Sequence, residues 1–256
     1  MGVSVQRPGK ADLLVFQTVN TRWSKAKAAG RLARRPAARL LLDFPPETEA
    51  HFRRVHRGKP WPEALDEMEE KGLVRAPEES QEYRALEPLM SDLPSLAKDV
   101  ACAGDSQGRT FGAEVSARLV VLTLRGRMGS VETEEWRRAL TDDLLLARDG
   151  GKKQAKTVAL WVEERGEVVA LDLPAETLEE LKRTGVEAEQ VVLDSPGLPL
   201  DELRGLLRKE VESGEAVADE TVARLVREHL EFVGRATVVG YEEAYRERAA
   251  AQPKRG

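Results

Sequence analysis

The sequence predicts an α/β fold: a mostly parallel sheet flanked by helices, built as two similar βαβ-type halves with helical insertions. Three observations lead there. Aliphatic runs of strand length alternate with longer helix-forming segments, the pattern of βαβ units. The runs are apolar throughout rather than at every second position, as expected of strands covered on both faces. Finally, an eight-residue segment recurs. Leu41-Leu42-Asp43-Phe44-Pro45-Pro46-Glu47-Thr48 reads like Ala170-Leu171-Asp172-Leu173-Pro174-Ala175-Glu176-Thr177.

Taken in order, residues 11–19 (ADLLVFQTV) are a buried strand. Residues 24–35 are rich in helix formers, with Ser24 as candidate N-cap and Pro36 as the break. Residues 38–43 form the second strand, and Asp43 through Glu47 starts a helix: an Asp cap, a first-turn proline and an early acid. Residues 47–97 are helical, with the stretch Glu63 to Lys71 stopped at Gly72. Trp61 is a hydrophobic staple at a helix start. Residues 98–105 are a third strand, 106–114 a loop and 117–125 (ARLVVLTLR) a fourth strand. Ser130 caps a helix to about Leu146, and residues 156–164 are helical. Residues 167–172 and 190–194 are strands, 198–213 and 219–233 helices, and 235–240 a last strand before a short helix and the polar tail Gln252 to Gly256.

The repeat divides the chain into residues 1–114, with a basic first helix and a helical insert, and residues 115–256, with a helical C-terminus. A second likeness, LLVFQTVNTRWS at 13–24 beside LVVLTLRGRMGS at 119–130, extends it. Helix-start chemistry used twice after a strand explains the same residues without duplication.

Composition narrows the field. The chain has 256 residues, one cysteine (Cys102), no isoleucine and a single asparagine, Asn20. A lone cysteine excludes an internal disulfide framework and a cysteine-based zinc site; it reads as a buried, inert thiol. Charged residues make up 33% of the chain in near balance, which with scarce Asn and Cys is the pattern of heat-adapted proteins. No apolar run approaches the roughly 18 residues of a membrane span, so the expected address is the cytoplasm, with no membrane partner. A homodimer is compatible with the sequence. The net charge of −5 hides an asymmetry: Met1 to Leu40 carries nine basic residues against Asp12 alone. Such a face can steer an anionic partner, nucleic acid or a phosphorylated ligand. It can equally pair with acidic helices of the same chain.

Ligands of open α/β sheets bind beyond the carboxyl ends of the strands. Asp43, Asp105, Asp172 and Asp194 each end a predicted strand. Together they form a candidate metal site for Mg²⁺ or Mn²⁺, hard cations that take oxygen ligands, with Asp43 and Asp105 as the candidate catalytic pair. Asn20, Arg22, Arg125 and Arg127, at the ends of the predicted first strand of each half, are candidate substrate-binding residues. Guanidinium groups suit bidentate phosphate contact. Each Asp except Asp105 also reads as a plain helix cap. No HExxH, Walker, GxGxxG or GxSxG motif occurs, and His229, in a charged helix, reads as a surface residue. The resulting expectation is a metal-dependent phosphoester hydrolase or transferase acting on a nucleotide, nucleic acid or phosphorylated metabolite. The alternative is a non-catalytic subunit or adaptor that binds nucleic acid or an acidic partner through its basic N-terminal segment.

Overall fold

A computed structural model describes residues 13–251 except 36–37, 77–79, 166 and 195–196. The predicted break at Pro36 and the tail Gln252–Gly256 lie outside the described residues. Five strands form one all-parallel sheet: β1 (Leu13–Gln17), β2 (Arg39–Leu42), β3 (Asp99–Cys102), β4 (Val168–Leu171) and β5 (Ala188–Val192), in the order β3-β2-β4-β1-β5. Strands of the two predicted halves therefore interleave, with β4 inserted between β2 and β1. The helices are α1 (Arg22–Leu32), α2 (Glu49–His56), α3 (Trp61–Glu70), α4 (Gln81–Leu96), α5 (Ser106–Arg127), α6 (Thr133–Arg165), α7 (Ala175–Arg183), α8 (Pro199–Ser213), α9 (Asp219–Val239) and α10 (Tyr241–Ala251).

Period-two alternation sends each strand's side chains to two cores. Leu14, Phe16, Leu40, Leu42, Val100, Cys102, Val169 and Leu171 meet helices α1 to α4, where Phe52 and Trp61 stack at 5.5 Å. Leu13, Val15, Leu41, Ala101, Val168 and Ala170 meet α6 and α7. Both faces being covered explains why β1 to β4 are largely apolar, while the edge strand β5 carries Glu189 and Gln190 and is mostly exposed. Cys102 is buried as expected.

A third core lies away from the sheet, where α5, α6, α8 and α9 pack around the fully buried Trp136. Helix α6 joins the two bodies: Trp136, Ala139 and Leu140 belong to the bundle, Ala155 and Val158 to the sheet. Its 33 residues span roughly 50 Å at 1.5 Å per residue. Gly150 and Gly151, which suggest a break in sequence, are helical and serve close packing. A Cβ on Gly151 would come within 2.8 Å of Glu176 Cβ and 3.0 Å of the Thr177 nitrogen.

Several local expectations are corrected. Residues 106–114 are not a loop and 117–125 are not a strand; both belong to α5. The buried positions there, Val115 and Leu122 with Leu119 packed beside them, fall at helical spacing, while Val120, Val121 and Leu124 are exposed. The apolar run imitates a strand by composition, but its burial has the helical period. The second likeness therefore pairs a strand with a helix. Residues 235–240 likewise continue α9 to Val239 rather than forming a strand. The cap of α1 is Thr21, whose hydroxyl accepts from the Ser24 nitrogen at 3.3 Å, and not Ser24. His229 is not a surface histidine; it packs edge-on against Trp136 at 5.7 Å inside the bundle.

The eight-residue motif behaves differently. Its two copies are in-register parallel neighbours, with Leu41 opposite Ala170 and Leu42 opposite Leu171. Asp43 and Asp172, each the next residue on, therefore emerge side by side at the carboxyl edge.

Candidate functional site

The sheet opens where helices that leave neighbouring strands pack on opposite faces. Helix α1, after β1, packs on the α4 side through Ala28, Ala29 and Leu32, whereas α7, after β4, packs on the α6 side through Leu178 and Leu181. Between the carboxyl ends of β1, β4 and β2 lies a cavity of about 350 Å³. Thr18, Lys25, Asp43 and Asp172 line its floor, and Glu82, Asp201, Tyr241 and Tyr245 close it from α4, α8 and α10.

The floor is organised around Asp172. Its backbone lies in the left-handed region at φ 56°, uncommon for a non-glycine residue and tolerated best by Asn and Asp. In that conformation its carboxylate accepts from the Thr18 nitrogen at 2.6 Å and from the Thr18 hydroxyl at 2.7 and 2.9 Å. Lys25 donates to the same carboxylate and, at 2.7 Å, to the Thr18 hydroxyl. The Lys25 side chain is only 4% exposed and Asp172 28%. A buried lysine is rare unless paired; here the pair ties α1 to β4 across the end of β1. Non-glycine residues at unusual backbone angles concentrate at functional sites.

Asp43 does not cap a helix. Its Oδ1 accepts from Gln154 Nε2 at 2.7 Å, and Gln154 Oε1 in turn accepts from Thr177, the motif's buried threonine. The helical turns after both motifs start on prolines, Pro45 and Pro174, with no side-chain cap. The plain-cap explanation thus fails for Asp43 and Asp172. It fails for Asp194 as well, since α8 starts at Pro199 with Leu198 in the N-cap position.

The four anticipated carboxylates do not form one metal centre. Asp43 and Asp172 share the cavity. Asp194 sits beside α1, accepting from Ser24 Oγ at 2.7 Å and Lys27 Nζ at 2.6 Å. Asp105 immediately precedes α5, the position of an N-cap, and its Oδ2 lies 3.0 Å from where a Gly150 Cβ would stand. The residue for which a cap seemed the poorest explanation is the one that stands at a helix start. Among the described residues, no three His, Cys, Asp or Glu side chains are grouped to hold a metal ion.

Of the anticipated substrate-binding residues, Asn20 lines the cavity, and its carbonyl accepts from Gln81 at 2.8 Å. Arg22 is near but engaged: its guanidinium pairs with Glu87 at 2.6 Å and its backbone nitrogen donates to Glu242 at 2.7 Å. Arg125 and Arg127 do not converge on the sheet edge. They lie in the last turn of α5, roughly 28 Å along the helix from Ser106, and Arg125 pairs with Glu135. Four residues of the basic segment are paired within the chain, as Arg22–Glu87, Lys25–Asp172, Lys27–Asp194 and Arg35–Glu167.

Sequence reasoning passed over Thr18, Lys25, Gln154, Asp201, Tyr241 and Tyr245. The two tyrosines come from a helix more than two hundred residues beyond β1, and no local pattern marks them. Burial pushes the Tyr241 hydroxyl up to about 12, helped by the Asp201 and Glu242 carboxylates, and raises Tyr245 further. Burial also raises the Asp201 carboxyl, against the pull of Arg204. Around the cavity the formal charge is one lysine against Asp43, Glu82, Asp172 and Asp201, so it attracts cations.

The fold and cleft define an α/β protein with a crevice at the carboxyl edge of a parallel sheet. Compared with known protein families, curated proteins and solved structures, the chain matches none. Among the described residues no helix is long and apolar enough to cross a membrane.

Proposed function

We propose that the chain is an enzyme acting on a small phosphorylated molecule in this crevice, a phosphoester hydrolase or transferase assisted by Mg²⁺ or Mn²⁺. The observation that carries this reading is the pair Asp43 and Asp172, emerging from in-register neighbouring strands into one acidic cavity. Hard cations are commonly held by one or two carboxylates, with water and substrate oxygens completing the shell. Asp43 supplies the carboxylate for that mode, since both oxygens of Asp172 are engaged by Thr18 and Lys25, and Asp105 and Asp194 drop out of it. A divalent ion there would polarise a phosphoryl oxygen and lower the pKa of water. Asp43 is the ligand and proton acceptor in this reading. Asp172 is a positioning residue that holds Lys25 and Thr18, and Lys25 places a cation beside the substrate. A cavity of about 350 Å³ suits a metabolite rather than a nucleic-acid strand.

Calorimetric titration with MnCl₂ tests this. One ion should bind, and Asp43→Asn should weaken it at least tenfold without lowering the melting temperature by more than a few degrees. No binding by the unaltered chain removes the metal from the reading; equal binding by Asp43→Asn removes Asp43.

A further inference from the structure

A second cavity, of about 450 Å³, adjoins the first and shares Gln17, Asp172 and Asp201 with it. Its character is different. Arg204 and Arg208 of α8 line it, four residues apart and so on one helix face. Gly205 between them has nothing within 4 Å of an added Cβ, which leaves the wall open. Pro174 and Ala175, where α7 begins with no side-chain cap, line it as well.

The arginines are only partly engaged. Arg204 pairs through one Nη with Asp143 at 2.6 Å, and its Nε is buried with no partner. Arg208 pairs through one Nη with Glu176. A guanidinium carries five donors in a planar fork, and a tetrahedral oxyanion between two such forks takes several of them at once. The second cavity thus holds two guanidinium groups beside Asp172 and Asp201, whereas the first holds Lys25 alone against four carboxylates.

We infer that the substrate is a phosphate monoester whose phosphoryl group docks between Arg204 and Arg208, with its organic part in the cavity lined by Asp43, Tyr241 and Tyr245. This rests on the function proposed above and supplies the anion-binding half that Arg125 and Arg127 do not. Gln17 and Asp172 line both cavities, so a molecule that spans them passes these two residues. A monoester with a compact organic part fits; a polynucleotide does not.

The test is titration of the full chain with inorganic phosphate, free of divalent ions and against sodium chloride of equal ionic strength. Saturable phosphate binding is expected, weakened at least tenfold in Arg204→Gln and in Arg208→Gln, with Mn²⁺ binding unchanged in both. In ¹⁵N spectra of the unaltered chain, phosphate should shift the Ala175 and Gly205 amides. That measurement holds if the variants fold poorly. No saturable phosphate binding, or shifts confined to other residues, overturns the inference while Mn²⁺ binding stands. Loss of Mn²⁺ binding with phosphate retained overturns the metal-assisted reading and leaves the anion site.

Discussion

Lys25→Met is the most direct probe of the crevice floor. Methionine keeps most of the buried stem and removes the cation. Asp172 then loses its compensating charge but keeps both donors of Thr18. Removing one partner of a buried ion pair costs about 3–5 kcal/mol. Asp172 retains 28% of its side chain in contact with solvent, so roughly half of that range, about 2 kcal/mol, applies. For a chain of this size 1 kcal/mol lowers the melting temperature by about 2–4 °C, giving a drop of about 4–8 °C. Urea unfolding of the unaltered chain, Lys25→Met, Asp172→Asn and the double variant completes a cycle. A coupling energy of about 1 kcal/mol or more is expected between groups in contact. If Lys25→Met lies within about 0.5 kcal/mol of the unaltered chain and the coupling vanishes, the pair does not hold α1 to β4, and the account of the floor is wrong.

Other outcomes follow from the same packing. Burial lowers the pKa of His229 from 6.5 to about 4. The unfolded chain takes up this proton below about pH 6.5 while the folded chain resists it. Stability is therefore complete above pH 6.5 and is lost as pH falls towards 4, by about 3 kcal/mol at one pKa unit per 1.36 kcal/mol. His229→Leu should flatten that part of the pH profile, as read by urea midpoints; an unaltered slope would show that another group is responsible. Gly104→Ala would place a Cβ 2.6 Å from the Phe44 carbonyl carbon and 2.8 Å from its oxygen. Backbone cannot swing aside as a side chain does, so a loss of about 1–3 kcal/mol is expected. At Gly126 the nearest obstacle is the flexible Leu230 side chain. Alanine there gains up to about 1 kcal/mol of helix propensity, and the melting temperature should stay within a few degrees.

The class of fold was legible because a parallel sheet covered on both faces has a compositional signature. Each of the five strands overlaps a run read in advance as a strand, β5 only over residues 190–192. The same signature misled at residues 117–125, where an amphipathic helix with an exposed apolar edge has the composition of a strand. Only burial shows that Val115, Leu119 and Leu122 repeat at the helical period. Residues 147–155, left outside both expected helices, are the opposite case: glycine disfavours a helix locally, but at Gly151 close approach to Glu176 and Thr177 requires it. At the site, the Asp-x-Pro motif picked out Asp43 and Asp172, since a strand end is defined by its own neighbours in the chain. What surrounds them is not. Lys25 beneath Asp172, Gln154 against Asp43, and Arg204 and Arg208 across from α7 are brought there by the crossing of strands in the order β3-β2-β4-β1-β5 and by α6 running from bundle to sheet. Local sequence determines which segments are apolar, helical or turning, because those preferences act over a few residues. Which charges share a cavity, and which neutralise one another, is decided by contacts tens to more than a hundred residues apart in the chain, and tertiary structure alone settles those.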